Sequence, residues 1–165
     1  MNHINEYSTH LPLFEKLFNI KKFPKILEFG LGFGSTPFLL KNCEYLTSIE
    51  MQSQTWYNRV YSELKDENKW NCHLSLGSFE FQKLSVINDK YDLIFVDGHG
   101  DSRPEIINLF FEKCDTIVAH DFETASYRWS TIKKPIEYEL YVFTELNPYT
   151  AVFTKDFDVK KALNI

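Results

Sequence analysis

The segment whose residues are best suited to bind a ligand contains three glycines at alternate positions, Gly30, Gly32 and Gly34. It follows a short apolar run formed by Ile26, Leu27 and Phe29, which has the length of a buried strand. It precedes Ser35, Thr36 and Pro37, residue types suited to the start of a helix. Glycine lets a ligand approach the main chain, and the free N–H groups of a helix start can bind it. The segment therefore predicts a nucleotide-binding crevice between a strand and a helix.

Polar residues also end or follow four other apolar runs that have the length of strands. In chain order they are Glu50 in residues 45–51, Gly77 and Ser78 after 72–76, Asp97 to Gly100 after 91–96, and His120 and Asp121 after 116–119. Ligands of open α/β sheets bind outside the carboxyl ends of the strands, where the strand order switches. We therefore expect these residues to line the same crevice as the glycines. A carboxylate at Glu50 could accept hydrogen bonds from both hydroxyls of a ribose.

Helical patterns separate these strand patterns. One predicted helix begins at Ser53, and another contains Leu84 and Val86. A third starts at Pro104, and residues 137–143 and 150–154 then alternate as a hairpin would. The order predicts an α/β, Rossmann-like fold with a mostly parallel seven-stranded sheet, helices on both faces and a C-terminal antiparallel hairpin.

The chain of 165 residues predicts a single domain, with a core at residues 25–155. Residues 1–24 should form an N-terminal helical cover, because apolar residues recur at helical spacing from Leu11 to Phe18. Either Ser8 or Thr9 could cap this helix.

Composition excludes several classes of protein. The net charge of −5 argues against an extended nucleic-acid surface. Three scattered cysteines, Cys43, Cys72 and Cys114, show neither zinc spacing nor a disulfide framework, so we expect reduced thiols. Neither a secretion signal nor a membrane span is visible, which predicts a cytoplasmic protein without membrane contact. The oligomeric state stays open, a homo-oligomer included.

The glycine segment with Glu28 before it resembles the first motif, E/D-x-G-x-G-x-G, of class I S-adenosylmethionine-dependent methyltransferases. Asp97-Gly98-His99 is similar to the V-D-G-x-H sequence of a subgroup that acts on small molecules. The resemblance implies that S-adenosylmethionine is the cofactor and that a leading helix packs over its crevice. The implied cofactor-binding residues are Glu28, Gly30, Gly32, Gly34, Thr36, Glu50, Met51, Gly77, Ser78 and Asp97.

The same resemblance suggests a set of catalytic residues, Asp97, His99 and His120. Histidine is suited to general-base chemistry near neutral pH, although His99 is equally well explained as a turn residue bonded to the backbone. Asp97 and Asp121, together with Glu123, could offer oxygen ligands to a divalent cation such as Mg²⁺. The loop before the fifth strand departs from the subgroup, because Glu112-Lys113-Cys114-Asp115 stands where Pro-Gly-Gly is usual.

Two further candidates for substrate contacts are Arg103 and the segment Tyr127-Arg128-Trp129 after the fifth strand. Arg103 could hold a carboxylate or phosphate bidentately. For both arginines the sequence favours a solvated position on the surface.

These patterns predict methyl transfer from S-adenosylmethionine to an oxygen or nitrogen of a small-molecule acceptor. The alternative is a non-catalytic protein of the same fold that binds S-adenosylmethionine, S-adenosylhomocysteine or a protein partner. An NAD or nucleotide-sugar domain is disfavoured, since its fingerprint is G-x-G-x-x-G. Methylation of DNA bases is disfavoured too, because neither an Asn-Pro-Pro-Tyr motif nor a catalytic Pro-Cys pair is present.

Overall fold

The computed structural model of the chain describes residues 8–163. Its strands are β1 (Lys25–Phe29), β2 (Tyr45–Glu50), β3 (Trp70–Leu74), β4 (Leu93–Val96), β5 (Thr116–His120), β6 (Glu139–Phe143) and β7 (Thr150–Thr154). Its helices are α1 (Leu11–Ile20), α2 (Ser35–Asn42), α3 (Gln54–Leu64), α4 (Arg103–Phe110) and α5 (Val159–Leu163). Strands and helices alternate through β5, except that short 3₁₀ turns replace a helix between β3 and β4, and a hairpin follows.

The seven strands form one sheet in the order β3-β2-β1-β4-β5-β7-β6. Strands β1 to β5 are parallel, whereas β7 runs antiparallel to both β5 and β6. The predicted fold is therefore confirmed. The sequence order of the strands switches between the neighbours β1 and β4, and ligands of open α/β sheets bind at the carboxyl ends of the strands at such a point.

Apolar residues cover both faces of the central strands. On β1, Leu27 and Phe29 pack in one cluster with Ile107 of α4, while Ile26 packs in the other with Phe14 of α1. Neighbouring side chains of a strand point to opposite faces, so a parallel strand covered on both sides is mostly apolar. The two clusters hold the strand ends, and the loops that follow them, in fixed positions.

Local start signals explain some of the helices. Ser53 caps α3, as predicted, by accepting a hydrogen bond from the N–H of Trp56 (3.1 Å). The predicted cap of α1 at Ser8 or Thr9 is wrong, because His10 occupies the N-cap position without a side-chain capping bond.

Two elements also differ from the sequence-based expectation, one in its type and one in its bounds. The predicted helix around Leu84 and Val86 is instead a pair of short 3₁₀ turns, Glu80–Lys83 and Ser85–Asn88. The third strand begins two residues earlier than predicted, at Trp70. None of the helices in residues 8–163 has the length and apolar character needed to cross a lipid bilayer.

Candidate functional site

The glycine loop after β1 brings the main chains of β1 and β4 into direct contact. Gly30 has a φ of +82°, and its N–H donates a hydrogen bond to the carbonyl oxygen of Ile49 on β2 (2.8 Å). A Cβ atom at Gly30 would lie 2.5 Å from the carbonyl oxygen of Asp97, the residue that follows β4. Only glycine fits both this dihedral angle and this space. The loop then enters α2, whose N-cap position is Gly34.

A buried carboxyl group supports the loop from below. Glu28 is fully buried in β1 and accepts hydrogen bonds from the hydroxyls of Ser35 (2.6 Å), Ser48 (2.6 Å) and Thr36 (2.9 Å). Thr36 also accepts a hydrogen bond from the N–H of Gly32 (2.9 Å). Burial raises the pKa of Glu28 to about 7, although the three hydroxyls act to lower it.

We predicted that Glu28 and Thr36 bind the cofactor. Their side chains are buried and bonded to each other, so they hold the first turn of α2 against β1 and β2. The loop residues above them keep the main-chain surface that a ligand could touch.

Glu50 and Met51 lie at the end of β2, and both are buried. The Oε1 atom of Glu50 accepts hydrogen bonds from the N–H groups of Gln52 (2.8 Å) and Ser53 (3.0 Å). Within residues 8–163, the Oε2 atom has no hydrogen-bond partner. Met51 packs beside Gly98, where an added Cβ atom would approach the methionine sulfur to 2.8 Å. The two residues thus connect the tips of β2 and β4.

The loops after β3 and β4 meet through a histidine. The Oγ atom of Ser78 lies 3.2 Å from Nδ1 of His99, whose side chain is 35% exposed. Gly77, before it, has a φ of +111° and donates its N–H to the carbonyl oxygen of Met51 (2.9 Å). His99 is therefore partly exposed, and its side chain lies next to Ser78 and Asp101.

Arg103 is the residue that the sequence-based prediction misjudged most. It is only 3% exposed, and its guanidinium bridges two carboxylates, with 3.1 Å to Asp97 and 3.0 Å to Asp121. The same group donates to the carbonyl oxygens of Gly98 (3.0 Å) and His120 (2.7 Å). The predicted surface position of Arg103 is wrong, because two acids from separate loops bury it. A planar guanidinium with five donors suits such a bridge.

This bridge bears on the predicted magnesium site. The guanidinium takes the position between Asp97 and Asp121 where a cation shared by both carboxylates would lie. The third predicted ligand, Glu123, is exposed and accepts a hydrogen bond from the N–H of Tyr149 (2.7 Å). The structure therefore does not support magnesium bound by Asp97 and Asp121.

His120 is held in one tautomer by its neighbours. Thr9 donates its only hydroxyl proton to the carbonyl oxygen of Pro148 (2.9 Å), so its oxygen must accept a hydrogen bond from Nε2–H of His120 (2.8 Å). The other ring nitrogen, Nδ1, lies 3.2 Å from Asp97 and 3.4 Å from Asp121. Any loss or gain of a proton by His120 thus occurs at Nδ1.

The charges around His120 shift two pKa values in opposite directions. Burial alone would lower the pKa of His120, but the hydrogen bond and charge of Asp97 and the charge of Asp121 raise it. Burial alone would raise the pKa of Asp97, but the hydrogen bond from His120 and the charge of Arg103 lower it. Both shifts favour an imidazolium donating to an ionised carboxylate.

The segment after β5 closes over the arginine. The guanidinium of Arg103 lies 4.7 Å from the centre of the Tyr127 ring, a cation–π contact. The Tyr127 ring also lies where a side chain at Gly100 would project. Arg128 is exposed, as predicted, and donates to the carbonyl oxygen of Asp101 (3.1 Å). Trp129 packs against Phe122, with 4.7 Å between the ring centres.

His10 was not predicted as a functional residue, and it joins the site from the N-terminal segment. Its ring is 1% exposed and packs against Phe14, Phe95 and His120, with 4.9 Å between the ring centres of His10 and Phe95. Burial, with a smaller effect from the charge of His120, lowers the pKa of His10 to about 3. In the sequence, the only feature that could have identified His10 as a site residue is its position just before the apolar pattern of α1.

Comparison with solved structures finds this architecture in methyltransferases. A protein assigned as a caffeoyl-CoA O-methyltransferase from Staphylococcus aureus superposes with a TM-score of 0.67 and 17% identity, over 88% of this chain and 82% of the other. The N-methyltransferase NodS from Bradyrhizobium japonicum WM9, solved with S-adenosyl-L-homocysteine, gives 0.61 and 15%, over 90% and 86%. An rRNA methylase from Streptococcus thermophilus gives 0.59 and 15%, over 86% and 92%. The chain has the class I methyltransferase fold.

Sequence comparison adds nothing to this methyltransferase fold, since no protein-family model and no curated protein matches the chain. The names of the three solved proteins span oxygen, nitrogen and RNA methylation. Proteins of one fold can carry different active sites, so the fold does not define the methyl acceptor.

Within this fold the predicted site residues gather at one edge of the sheet. Gly30, Glu50 and Asp97 follow or end adjacent strands, and His120 ends the next one. Glu28 and Thr36 lie beneath that edge, and His99 lies on its rim. His10, which the sequence reasoning missed, packs against His120. Arg103, whose burial it did not predict, pairs with Asp97.

Proposed function

We propose that this chain transfers the methyl group of S-adenosylmethionine to an oxygen or nitrogen atom of a small-molecule acceptor. The observation that carries the proposal is the side-chain-free approach of Gly30 to Asp97, beside the buried carboxylate of Glu50. Bare main chain next to an acid at the switch point suits an adenosine ligand without a 2′-phosphate. The methyltransferase fold supports the same ligand, and the net charge of −5 favours a small acceptor over a nucleic acid.

The residues of the crevice fit this cofactor. Glu50 keeps Oε2 for the ribose hydroxyls while Oε1 holds the turn before α3. Gly32 and Gly34 would present main chain to the amino-acid end of the cofactor, and Asp97 would lie near its methionine part. Three residues would border the adenine, Met51, Gly77 and Ser78.

Bound S-adenosylmethionine supplies an electrophilic methyl group on a sulfonium centre. The chain must align the acceptor with that methyl group and keep water out. His99 is the residue best placed to take a proton from the acceptor, because its ring is partly exposed and Nε2 makes no hydrogen bond within residues 8–163. His120 is paired with Asp97 through Nδ1, so its role is to position that carboxylate.

Calorimetric titration with S-adenosylhomocysteine tests the cofactor site. The wild-type chain should bind it, and Glu50→Gln should weaken binding by ~1–3 kcal/mol, the cost of losing hydrogen bonds to a charged group. The matched control is Glu44→Gln, an equal change at an exposed position, which should leave the affinity unchanged. No binding by the wild-type chain would refute the proposal.

Turnover separates catalysis from binding alone. Release of S-adenosylhomocysteine with a panel of phenols, alcohols and amines should identify an acceptor, and His99→Gln should lower kcat while cofactor affinity is kept. Tight binding with no turnover across the panel would favour the non-catalytic alternative.

A further inference from the structure

We propose that His10, Asp97 and His120 form a site for a first-row transition-metal dication such as Zn²⁺. One ligand atom from each of the three residues lies within 4.8 Å of the other two. Ligand atoms around a tetrahedral Zn²⁺ are roughly 3.4 Å apart, given metal–ligand distances of about 2.1 Å. Small side-chain rotations that move the ligand atoms by about an ångström would therefore let all three atoms bind one ion.

The surroundings of the His10 ring nitrogens indicate that His10 binds a ligand. Both of its ring nitrogens are buried and have no hydrogen-bond partner within residues 8–163. A buried polar group without a partner is rare in folded proteins and calls for an explanation. Metal coordination would engage one nitrogen, and the aromatic rings of Phe14 and Phe95 hold the imidazole where it faces His120.

His120 has the hydrogen bonding of a metal ligand. Metal-bound histidines usually donate the second ring N–H to a fixed acceptor, which sets the tautomer. Here Nε2–H donates to Thr9, and Thr9 donates onward to Pro148. That chain leaves Nδ1 as the coordinating atom, 3.2 Å from Asp97. On metal binding the proton at Nδ1 would leave to the solvent, and the imidazole would bind as a neutral ligand.

The donor set decides which metal is expected. Two imidazoles and one carboxylate suit Zn²⁺, Fe²⁺ or Co²⁺, whereas Mg²⁺ prefers oxygen ligands. This site is distinct from the predicted magnesium pair, because Asp121 is bridged to Asp97 by the Arg103 guanidinium and provides no ligand.

The proposed metal would also connect three parts of the chain. His10 precedes α1, Asp97 follows β4 and His120 ends β5. Binding would therefore fasten the N-terminal segment to the sheet edge. This inference does not rest on the proposed function, although the two sites share Asp97.

Metal titration of the untagged, chelator-treated chain tests the proposal. We expect one Co²⁺ per chain with visible d–d absorption typical of mixed nitrogen and oxygen ligands. Zn²⁺ should displace Co²⁺ and raise the melting temperature, and Mg²⁺ at the same concentration should do neither. His10→Phe, which keeps an aromatic ring in an aromatic pocket, should lower the Co²⁺ affinity at least about tenfold.

The matched control is His73→Phe, the same substitution on β3, which should keep the wild-type affinity. Absence of stoichiometric Co²⁺ binding by the wild-type chain would overturn the proposal, as would equal affinities in the wild type and a folded His10→Phe variant. If His10→Phe does not fold, His10→Gln serves in its place, and the wild-type titration alone still decides. Titration of each variant with S-adenosylhomocysteine keeps failure of the metal site distinguishable from failure of the cofactor site.

Discussion

Replacing Glu28 with Gln should remove a pH dependence from the stability of the fold. Burial raises the pKa of Glu28 from 4.5 to about 7. Above pH 4.5 the unfolded chain releases this proton, whereas the folded chain keeps it until about pH 7. The folded state therefore binds the extra proton in this window, and the free energy of unfolding falls as pH rises through it.

The size of the effect follows from the shift. One pKa unit corresponds to about 1.4 kcal/mol, so the displacement of Glu28 implies a loss of about 3 kcal/mol across the window. Gln carries the same shape without the titrating proton. Relative to the wild type, Glu28→Gln should gain about 3 kcal/mol of stability between pH 4.5 and pH 8. Any constant cost of rearranging the hydroxyls of Ser35, Thr36 and Ser48 adds equally at every pH.

Urea unfolding followed by tryptophan fluorescence at several pH values from 5 to 8 measures this difference. Comparison of the two chains at each pH cancels the titration of every other group. The exposed Glu44→Gln variant should differ from the wild type by a constant amount over the same range. The raised pKa of Glu28 is refuted if the stability difference between Glu28→Gln and the wild type changes by less than about 0.5 kcal/mol between pH 5 and pH 8, because Glu28 would then titrate normally.

Two further substitutions test the packing of the site. Gly30→Ala should destabilise the chain by at least about 2 kcal/mol and weaken S-adenosylhomocysteine binding, because its Cβ would meet the Asp97 backbone. The control Gly32→Ala should fold normally, because the nearest atom to its Cβ would be 3.7 Å away. Arg103→Met should cost at least about 2 kcal/mol in urea unfolding, because it removes the buried cation that Asp97 and Asp121 share. The exposed Arg128→Met should cost under about 1 kcal/mol. Equal effects within either pair would contradict the reasoning.

The sheet could be predicted because its signals are local. The strands β1, β4 and β5 are short and mostly apolar, and the polar or glycine residues of the site end or follow them. Gly30 was identifiable for the same reason, since a glycine after a buried strand marks a turn or a close approach.

The wrong predictions for Arg103 and Thr9 concern contacts between residues distant in the sequence. The burial of Arg103 depends on Asp97 and Asp121, which meet only once β4 and β5 are paired. Thr9 has the side chain of a helix cap, but its hydroxyl bonds to His120 and Pro148. Such competition between a local role and a tertiary partner is invisible in a single sequence.

The contact between Gly30 and Asp97 has a mechanical consequence. Because only main-chain atoms separate the two strand tips, there is no flexible side chain between them to absorb a displacement. A ligand that pushes on the first loop must shift the aspartate as well. Under the proposed function, cofactor that binds against the first loop would therefore also shift the position of Asp97.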